Sequence, residues 1–464
     1  MNETANMELQ AQDFAPAPAQ EGAHGLMRPS RSYWQDAWWR LRRNRRALLS
    51  LWIVLGLLAF ALLGPLLWRV DPARQDIDQI SQAPGADRSA IIVAPYQPWN
   101  GLSTADAPAQ TGALRLGDAP SSQAVRLLWD ALPGASGYRV YRNNYPIDDG
   151  ARAFGLPIVD VMASGGGHYE DRLNLRPGTY YYSLVLLDEF GGLTDRFETL
   201  QVDVPRVITV DEVRQRALVP EGRELERGDT VYLAFHPLGT DYLGRDVLAR
   251  LMSGARVSLF IGIVAPLLYV LLGVVYGSTA GFVGGRVDQF MMRFADFVVA
   301  LPFLLFMILF QVVFGLGPGQ SGIIPMMVAL VLLQWPATAR LVRGQILQIR
   351  QEAYISASRL LGARTWYLVL RHMIPNTLGV VLVTLTFAVP NAIFTEAFLS
   401  FIGMGVAPPT ASWGSMSNEG LATMLTHPHE LMFPAIFISL TVLAFNLLGD
   451  GLRDALDVRM RSLE

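Results

Sequence analysis

The chain has 464 residues, of which 51% are hydrophobic and only 17% are charged, and its apolar residues are concentrated in runs long enough to cross a bilayer. It contains no cysteine, which excludes a disulfide framework, a thiol nucleophile and a thiolate metal site. All 37 basic residues are arginine, so the chain lacks the lysine that a P-loop requires. We therefore predict a mainly α, polytopic membrane protein; if ATP energises it, another subunit binds the nucleotide.

The N-terminal region divides into a tail and a membrane-proximal segment. Residues 1–30 are rich in Ala, Pro, Gln and Gly, and we expect a disordered cytoplasmic tail. In residues 31–68 we predict an interfacial helix and the first transmembrane helix, because aromatic residues and arginines interleave before an apolar run: Tyr33, Trp34, Trp38, Trp39, Leu41, Arg40, Arg42, Arg43, Arg45 and Arg46. Such a mixture also occurs in nucleic-acid-binding segments. Next to a span it favours contact with the lipid bilayer, so we expect no nucleic-acid partner and a cytoplasmic N-terminus.

Residues 69–235 form an insert of different character between the first and second spans. Their acidic residues outnumber their arginines, which suits a translocated, periplasmic domain. Four stretches alternate or carry β-branched and aromatic residues between turn residues, as strands do: 125–129, 138–141, 179–187 and 197–204. This pattern predicts a small all-β sandwich inserted between the first and second transmembrane helices.

Two runs within the insert resemble a fibronectin type III domain. The first extends from Trp129 through residues 137–143, and the second, residues 175–181, reads Leu-Arg-Pro-Gly-Thr-Tyr-Tyr and is similar to a tyrosine corner. The resemblance covers residues 118–204. It implies that Trp129 and Tyr138 are core residues and that Tyr181 forms the corner.

The remainder, residues 236–452, is predicted to hold five more spans, which makes six in all. The apolar runs lie at 257–283, 290–314, 322–339, 377–401 and 431–449. The arginine-rich loop 340–371 is placed in the cytoplasm, whereas the loops 315–322 and 403–430 contain no arginine and are placed outside. Residues 453–464 then form a cytoplasmic C-terminus.

The arginine-rich loop contains a compact pattern of small and bulky residues. A short helix is predicted after the acidic Glu352, and it should end at Gly362, where a residue without Cβ can close the last turn in the left-handed conformation. Its apolar surface in a water-facing loop needs a partner to cover it. The simpler interpretation is an ordinary helix-turn-helix between two spans.

The spacing of Glu352-Ala353, Gly362 and Ile374-Pro375 resembles the EAA loop of permease subunits of ATP-binding-cassette importers. The resemblance implies that this loop docks into a cleft of the ATPase subunit and transmits its closure to the spans. It departs from the family at Tyr354, where a second alanine is usual. The docking residues that it implies are Glu352, Ala353, Tyr354, Ala357, Leu360, Gly362 and Arg364.

A second motif spans residues 236–247 and reads as a turn followed by a helix, which Thr240 or Asp241 could cap. Its His and Asp spacing matches no common metal-ligand pattern, so we expect no metal and no cofactor. The stretch is similar to permeases of the dipeptide, oligopeptide and nickel branch of the importers. The combined resemblance covers the N-terminal flank and residues 236–459, and leaves out the insert.

Few polar residues lie in the spans. Glu396 is a candidate for lining a substrate pathway together with Asn391 and Phe394, since an acid inside a membrane usually faces a cavity or a partner. It could equally bond a neighbouring helix. The glycines of the second span, among them Gly262 and Gly277, favour close helix packing over a pore lining.

The resemblance implies a transport subunit, not an enzyme, in a bacterial inner membrane. Its partners would be a second permease subunit, two ATP-binding-cassette ATPase subunits and a periplasmic substrate-binding protein, and its cargo di- or oligopeptides. A nickel complex or an oligosaccharide is the alternative cargo. A membrane-anchored receptor or adhesion module is an alternative of another class, but an anchor needs one span, not six. An exporter is disfavoured because the loop resembles those of importers.

Overall fold

The computed structural model describes residues 33–456, except 109, 111, 132–133, 148–153, 164–166, 221 and 315–320. The predicted tail 1–30 and residues 457–464 therefore lie outside the described residues. The chain divides into two compact units, one containing the residues up to 84 and from 238 onward, and the other residues 85–237.

The first unit is helical. Its helices are α1 Tyr33–Arg43, α2 Arg45–Leu67, α4 Val247–Val283, α5 Gly285–Ala300, α6 Phe303–Phe314, α7 Ile323–Ile349, α8 Ala353–Leu360, α9 Thr365–Leu368, α10 Ile374–Phe401, α11 Trp413–Leu421 and α12 His429–Leu456. A short helix of the second unit, α3, covers Val210–Gln215.

Among the described residues, five helices are long and apolar enough to cross a membrane: α2, α4, α7, the stretch 365–401 that contains α10, and α12. The predicted third span, 290–314, is not one helix. It consists of α5 and α6, which are bent by 80° relative to each other and give a sixth span if the pair crosses together. The break falls at Leu301, which is extended at φ −70° and ψ 126°, because Pro302 disfavours the helical conformation of the residue before it.

Helix α4 lies against α7, α10 and α2. Its glycines allow the close approach: a Cβ on Gly277 would overlap the backbone of Ala339 in α7, and one on Gly262 would overlap Ile393 in α10. At these two positions the glycines are packing residues, as the sequence predicts.

The second unit is mostly β. Its strands are β1 Ser89–Val93, β2 Leu114–Leu116, β3 Val125–Trp129, β4 Gly137–Asn143, β5 Pro157–Met162, β6 His168–Asp171, β7 Gly178–Leu187, β8 Leu193–Val204, β9 Val207–Thr209 and β10 Thr230–Tyr232. One sheet has the order β10-β1-β9, a second β2-β3-β6, and a third β5-β4-β7-β8. The four predicted strands fall within β3, β4, β7 and β8.

The second and third sheets share one apolar core. Trp129 and Tyr138, predicted as core residues, are 4% and 2% exposed, and their rings meet at 5.6 Å. The predicted corner residue Tyr181 needs correction. The hydroxyl that accepts the backbone N–H of Arg176 at 3.0 Å belongs to Tyr180, because the alternation along β7 turns Tyr180 and Tyr182 toward the core.

Candidate functional site

The loop from α7 to α10 carries the predicted docking helix as α8. The helix begins after Glu352, whose carbonyl accepts the N–H groups of Ile355 and Ser356 at 3.1 and 3.2 Å. The Glu352 carboxylate does not cap the helix and is exposed. Gly362 has φ +86°, the left-handed conformation expected where the helix ends.

One residue anchors α8 to the membrane helices. Ile355 is fully buried in a cluster that contains Phe282 of α4, Ile346 of α7 and Met373. The Arg359 guanidinium lies over the Phe282 ring, 5.5 Å from its centroid. Burying a side chain of this size contributes about 1.5–3 kcal/mol. The helix is therefore fixed to the ends of α4 and α7.

Tyr354 ties α8 to the start of α10. Its hydroxyl accepts a hydrogen bond from Nδ2 of Asn376 at 2.9 Å, and its ring lies 6.3 Å from that of His372. The departure from the family pattern at this position thus supplies a hydrogen bond that an alanine could not make. Ile355 thus holds the start of α8 against the membrane helices, and the pair of Tyr354 and Asn376 joins it to the beginning of α10.

All seven predicted docking residues are exposed in this chain: Glu352, Ala353, Tyr354, Ala357, Leu360, Gly362 and Arg364. Leu360 is 90% exposed and Leu361 89% exposed. Sequence reasoning missed Trp366 and Tyr367, which are 61% and 54% exposed in the same loop. Their aromatic character in an arginine-rich loop was the available signal. The loop thus exposes several large apolar and aromatic side chains outside the apolar core.

The three candidates for a substrate pathway do not lie together. Glu396 is fully buried and accepts hydrogen bonds at 2.8 Å from Ser258 of α4 and from Ser400. Those hydroxyls in turn accept the backbone N–H groups of Trp413 and Val406. Glu396 therefore organises the chain that follows α10.

Asn391 and Phe394 lie on the opposite face of α10, away from Glu396. Both are exposed in this chain, Phe394 by 60%. An exposed Phe in a helix of this apolar character needs lipid or another chain to cover it. These two residues therefore remain candidates for a surface shared with a second chain, whereas Glu396 does not reach that surface.

The second motif forms a buried ionic clasp, defined here as Asp241, Arg245, Arg250 and Glu419. Asp241 accepts from Nε of Arg245 at 2.7 Å and pairs with Arg250, and Glu419 of α11 pairs with both arginines at 2.6 and 2.7 Å. The two arginine side chains are 7% and 4% exposed. Two positive and two negative groups offset one another, as burial of charge requires.

The helix cap in this motif is neither Thr240 nor Asp241. Asp246 caps α4, with Oδ1 accepting the N–H of Ala249 at 2.6 Å. Asp241 is occupied by the clasp, and Thr240 accepts the N–H of Gln82 at 2.8 Å. Gln82 therefore belongs to the compact helical unit, whose N-terminal part extends to residue 84. The extent of the insert between the two spans, 69–235, stays a prediction.

Two further ion pairs join α5 to α7. Arg343 forms a two-pronged pair with Asp288 at 2.5 and 2.6 Å, and Arg340 binds Asp296 at 2.7 Å. Since α7 leads directly to α8, these pairs connect α5 to the helix that ends at the exposed loop. Within the part of the chain that the structure describes, no three His, Asp or Glu side chains come together as metal ligands.

These features define a multi-pass membrane protein with an exposed, anchored loop. Residues 273–462 match the family described as binding-protein-dependent transport system inner membrane component. Residues 32–84 match the N-terminal transmembrane domain of oligopeptide transport permease C.

Curated relatives agree. The dipeptide transport system permease protein DppC of Bacillus subtilis is 51% identical over 49% of this chain and 70% of that protein. The oligopeptide transport system permease protein OppC of the same organism is 49% identical over 49% of this chain and 72% of its own length. The glutathione transport system permease protein GsiD of Pectobacterium atrosepticum is 42% identical over 49% of this chain and 74% of its own length. The chain belongs to this family of inner membrane transport permeases and is a transport subunit, not an enzyme.

Proposed function

We propose that this chain is one of two permease subunits of an ATP-driven importer of di- or oligopeptides. Relatives named for dipeptide, oligopeptide and glutathione transport support a peptide cargo. Nickel complexes and oligosaccharides are the alternative cargo. The pathway lies between the two permeases, and the exposed face of α10 with Asn391 and Phe394 contributes to it. Glu396 acts inside the chain.

The docking of ATPase subunits onto α8 is the central step of this proposal. The observation that carries it is the combination of an anchored Ile355 with Leu360 and Leu361, which are 90% and 89% exposed. An apolar surface of this kind is covered in the working protein, and its rigid anchor lets a displacement of α8 reach α4 and α7. The full docking set is Glu352, Ala353, Tyr354, Ala357, Leu360, Gly362 and Arg364.

The orientation follows from charge. The arginines between 340 and 371 support a cytoplasmic position for α8 and for both termini, and a periplasmic position for the insert. There a substrate-binding protein delivers cargo, and the insert is placed to touch it. The predicted boundaries of the permease core, 236–452, and of the cytoplasmic C-terminus, 453–464, belong to the same proposal.

We also infer that the insert contains a fibronectin type III-like sandwich. Sheet orders of β2-β3-β6 and β5-β4-β7-β8 around one core support it, as does the hydroxyl of Tyr180 that accepts the N–H of Arg176. Deletion of residues 118–204 tests whether this sandwich contacts the substrate-binding protein. Loss of delivery with intact assembly supports contact with the binding protein, and unchanged delivery and assembly contradict it.

The docking proposal is tested with Leu360→Asp/Leu361→Asp in the complete transporter. We expect peptide uptake, followed by mass spectrometry of the medium, to fall at least tenfold, about the effect of losing 1.4 kcal/mol or more of contact. The ATPase subunits should also be lost from the purified complex. Leu425→Asp is the matched control, because Leu425 is likewise 90% exposed but lies in the loop before α12.

Three results would contradict the proposal or a part of it. Equal uptake by the Leu360→Asp/Leu361→Asp variant and the wild type would exclude docking through α8. Normal peptide uptake in a strain that lacks the chain, with impaired nickel or sugar uptake, would show that the cargo is not a peptide but that the chain is still part of an importer. Purification without any ATPase would favour the receptor alternative.

A further inference from the structure

Helix α1 is distinct from the first span. It ends at Arg43, and Asn44 starts a new helix, with Oδ1 accepting the N–H groups of Arg46 at 3.1 Å and Ala47 at 3.3 Å. Asn is a strong N-cap residue because its side chain satisfies N–H groups that the first turn leaves unpaired. The sequence therefore specifies a break at the point where the apolar run begins.

One side of α1 is fixed to the end of α12. Ala37 and Leu41 are each 7% exposed, and Leu41 forms an apolar cluster with Ala47 and Ala455. Gly451 of α12 lets the start of α2 come close, because the Ala47 side chain occupies the space that a Cβ would need, and Leu41 of α1 lies 3.6 Å from the same point. The orientation of α1 about its own axis is consequently set by packing, and its other side must face outward.

The outward side carries two arginine–tryptophan pairs at the spacing of one helical turn. The Arg42 guanidinium lies 5.7 Å from the centroid of the Trp38 ring, and that of Arg43 lies 4.6 Å from the centroid of the Trp39 ring. Trp38 is 50% exposed. A shallow groove of about 270 Å³ is lined by Gln35, Trp38, Trp39 and Arg42.

The charge of this region is unbalanced. Residues 33–46 contain five arginines and a single acidic residue, and Arg42, Arg43, Arg45 and Arg46 are all exposed. A guanidinium group presents N–H donors in a planar fork that matches the oxygens of a phosphate, and it can do so while it lies near an aromatic ring. Tryptophan prefers the boundary between hydrocarbon and headgroups.

We propose that the arginine–tryptophan surface, defined as Gln35, Trp38, Trp39, Arg42 and Arg43, binds the phosphate groups of anionic phospholipids and prefers them to zwitterionic ones. The excess positive charge beside the apolar start of α2 argues for a lipid rather than a soluble anion, since acyl chains cover the adjacent span. This inference is independent of the cargo and of docking through α8.

The test compares lipid retention by native mass spectrometry. The full-length chain, purified with its associated subunits, is exposed to equal amounts of phosphatidylglycerol and phosphatidylcholine. We expect the wild type to retain phosphatidylglycerol preferentially, and Arg42→Gln/Arg43→Gln to lower that preference at least tenfold, since each arginine near anionic lipid contributes about a fivefold effect. Arg286→Gln/Arg293→Gln in α5 removes equal charge from exposed positions and should keep the preference.

Each outcome decides the proposal. An unchanged preference in Arg42→Gln/Arg43→Gln overturns it, as does an equal loss in both double variants, which would reflect charge in general. Loss of a protein subunit or of bound nucleic acid, with lipid preference intact, would assign the surface to that partner instead. If the variant does not fold, the wild type decides: phosphatidylglycerol, and not phosphatidylcholine, should raise its thermal midpoint.

Discussion

The helical unit and the insert both bury a carboxylate beside arginine, but they compensate its charge differently. In the insert, Asp171 is fully buried and pairs with Arg142, whose side chain remains 21% exposed. In the helical unit, Asp241 pairs with Arg245 and Arg250, which are themselves buried. The insert therefore keeps one member of its pair in contact with water, whereas the clasp encloses both signs of charge. Removing a carboxylate should have very different costs in the two places.

The largest effect is expected for Asp241→Asn. This change leaves two buried arginines with Glu419 as the one carboxylate in the clasp, and an uncompensated buried charge costs about 3–5 kcal/mol. Thermal unfolding of the purified chain and its level in membranes measure the loss. Asp296→Asn is the control, because the Asp296–Arg340 pair is about half exposed and should contribute less than about 1 kcal/mol. Equal, small losses of stability in both variants would show that the charges of the clasp do not depend on one another for compensation.

The sequence identified the motif that contains Asp241 and Arg245, but it did not predict that these residues form the clasp with Glu419. Residues 236–247 are contiguous and show a turn before a helix, whereas Glu419 lies 169 positions beyond Arg250, and no local pattern pairs them. Glu396 had the same difficulty: its partner Ser258 is on another helix. The spans, by contrast, follow from continuous apolar runs, which are local information.

Two further details of the structure differ from the sequence-based expectation. The break between α5 and α6 is marked in the sequence by Leu301-Pro302, yet the apolar composition continues across it and hides the bend. In the insert, three successive tyrosines occupy 180–182, so the motif alone does not say which one points inward. The pairing register of β7 with β4 decides that, and register is set by the whole sheet.

A smaller effect is expected in the insert for Tyr182→Phe. The Tyr182 hydroxyl donates to Asp171 at 2.6 Å, and losing this bond should cost about 1 kcal/mol, since Arg142 and the N–H of Leu173 still serve the carboxylate. Hydrogen exchange at the amides of β4 and β7, read by mass spectrometry, measures it without involving the helical unit. A loss as large as that of Asp241→Asn would contradict the comparison.

Tyr182 and a second tyrosine of the insert, Tyr169, predict that the stability of the insert depends on alkaline pH. Burial raises the pKa of Tyr182, and burial followed by the charge of Asp171 raises the pKa of Tyr169 to about 12. Above pH 10 the unfolded chain loses these protons while the folded insert keeps them, so stability is complete below about pH 10 and falls as the pH rises through the folded pKa. Tyr169→Phe/Tyr182→Phe should flatten this fall in hydrogen exchange, and an unchanged slope would assign it to other groups.

The smallest effect is expected at the surface of the insert, where Asp160 is half exposed and pairs with Arg139 at 2.6 Å. The hydrogen bond from Arg139 lowers the pKa of Asp160, so the pair contributes above the unfolded pKa of about 4, and its contribution is lost as the pH falls through the lower folded value. Because water screens the pair, Asp160→Asn should change exchange rates in β4 and β5 less than about fivefold at pH 7, and less still at pH 3. This pair should therefore show the smallest effect of the three. Both partners reach water, so removing one charge leaves no buried charge without a partner. A larger loss that persists at pH 3 would show that packing, rather than charge, makes Asp160 important.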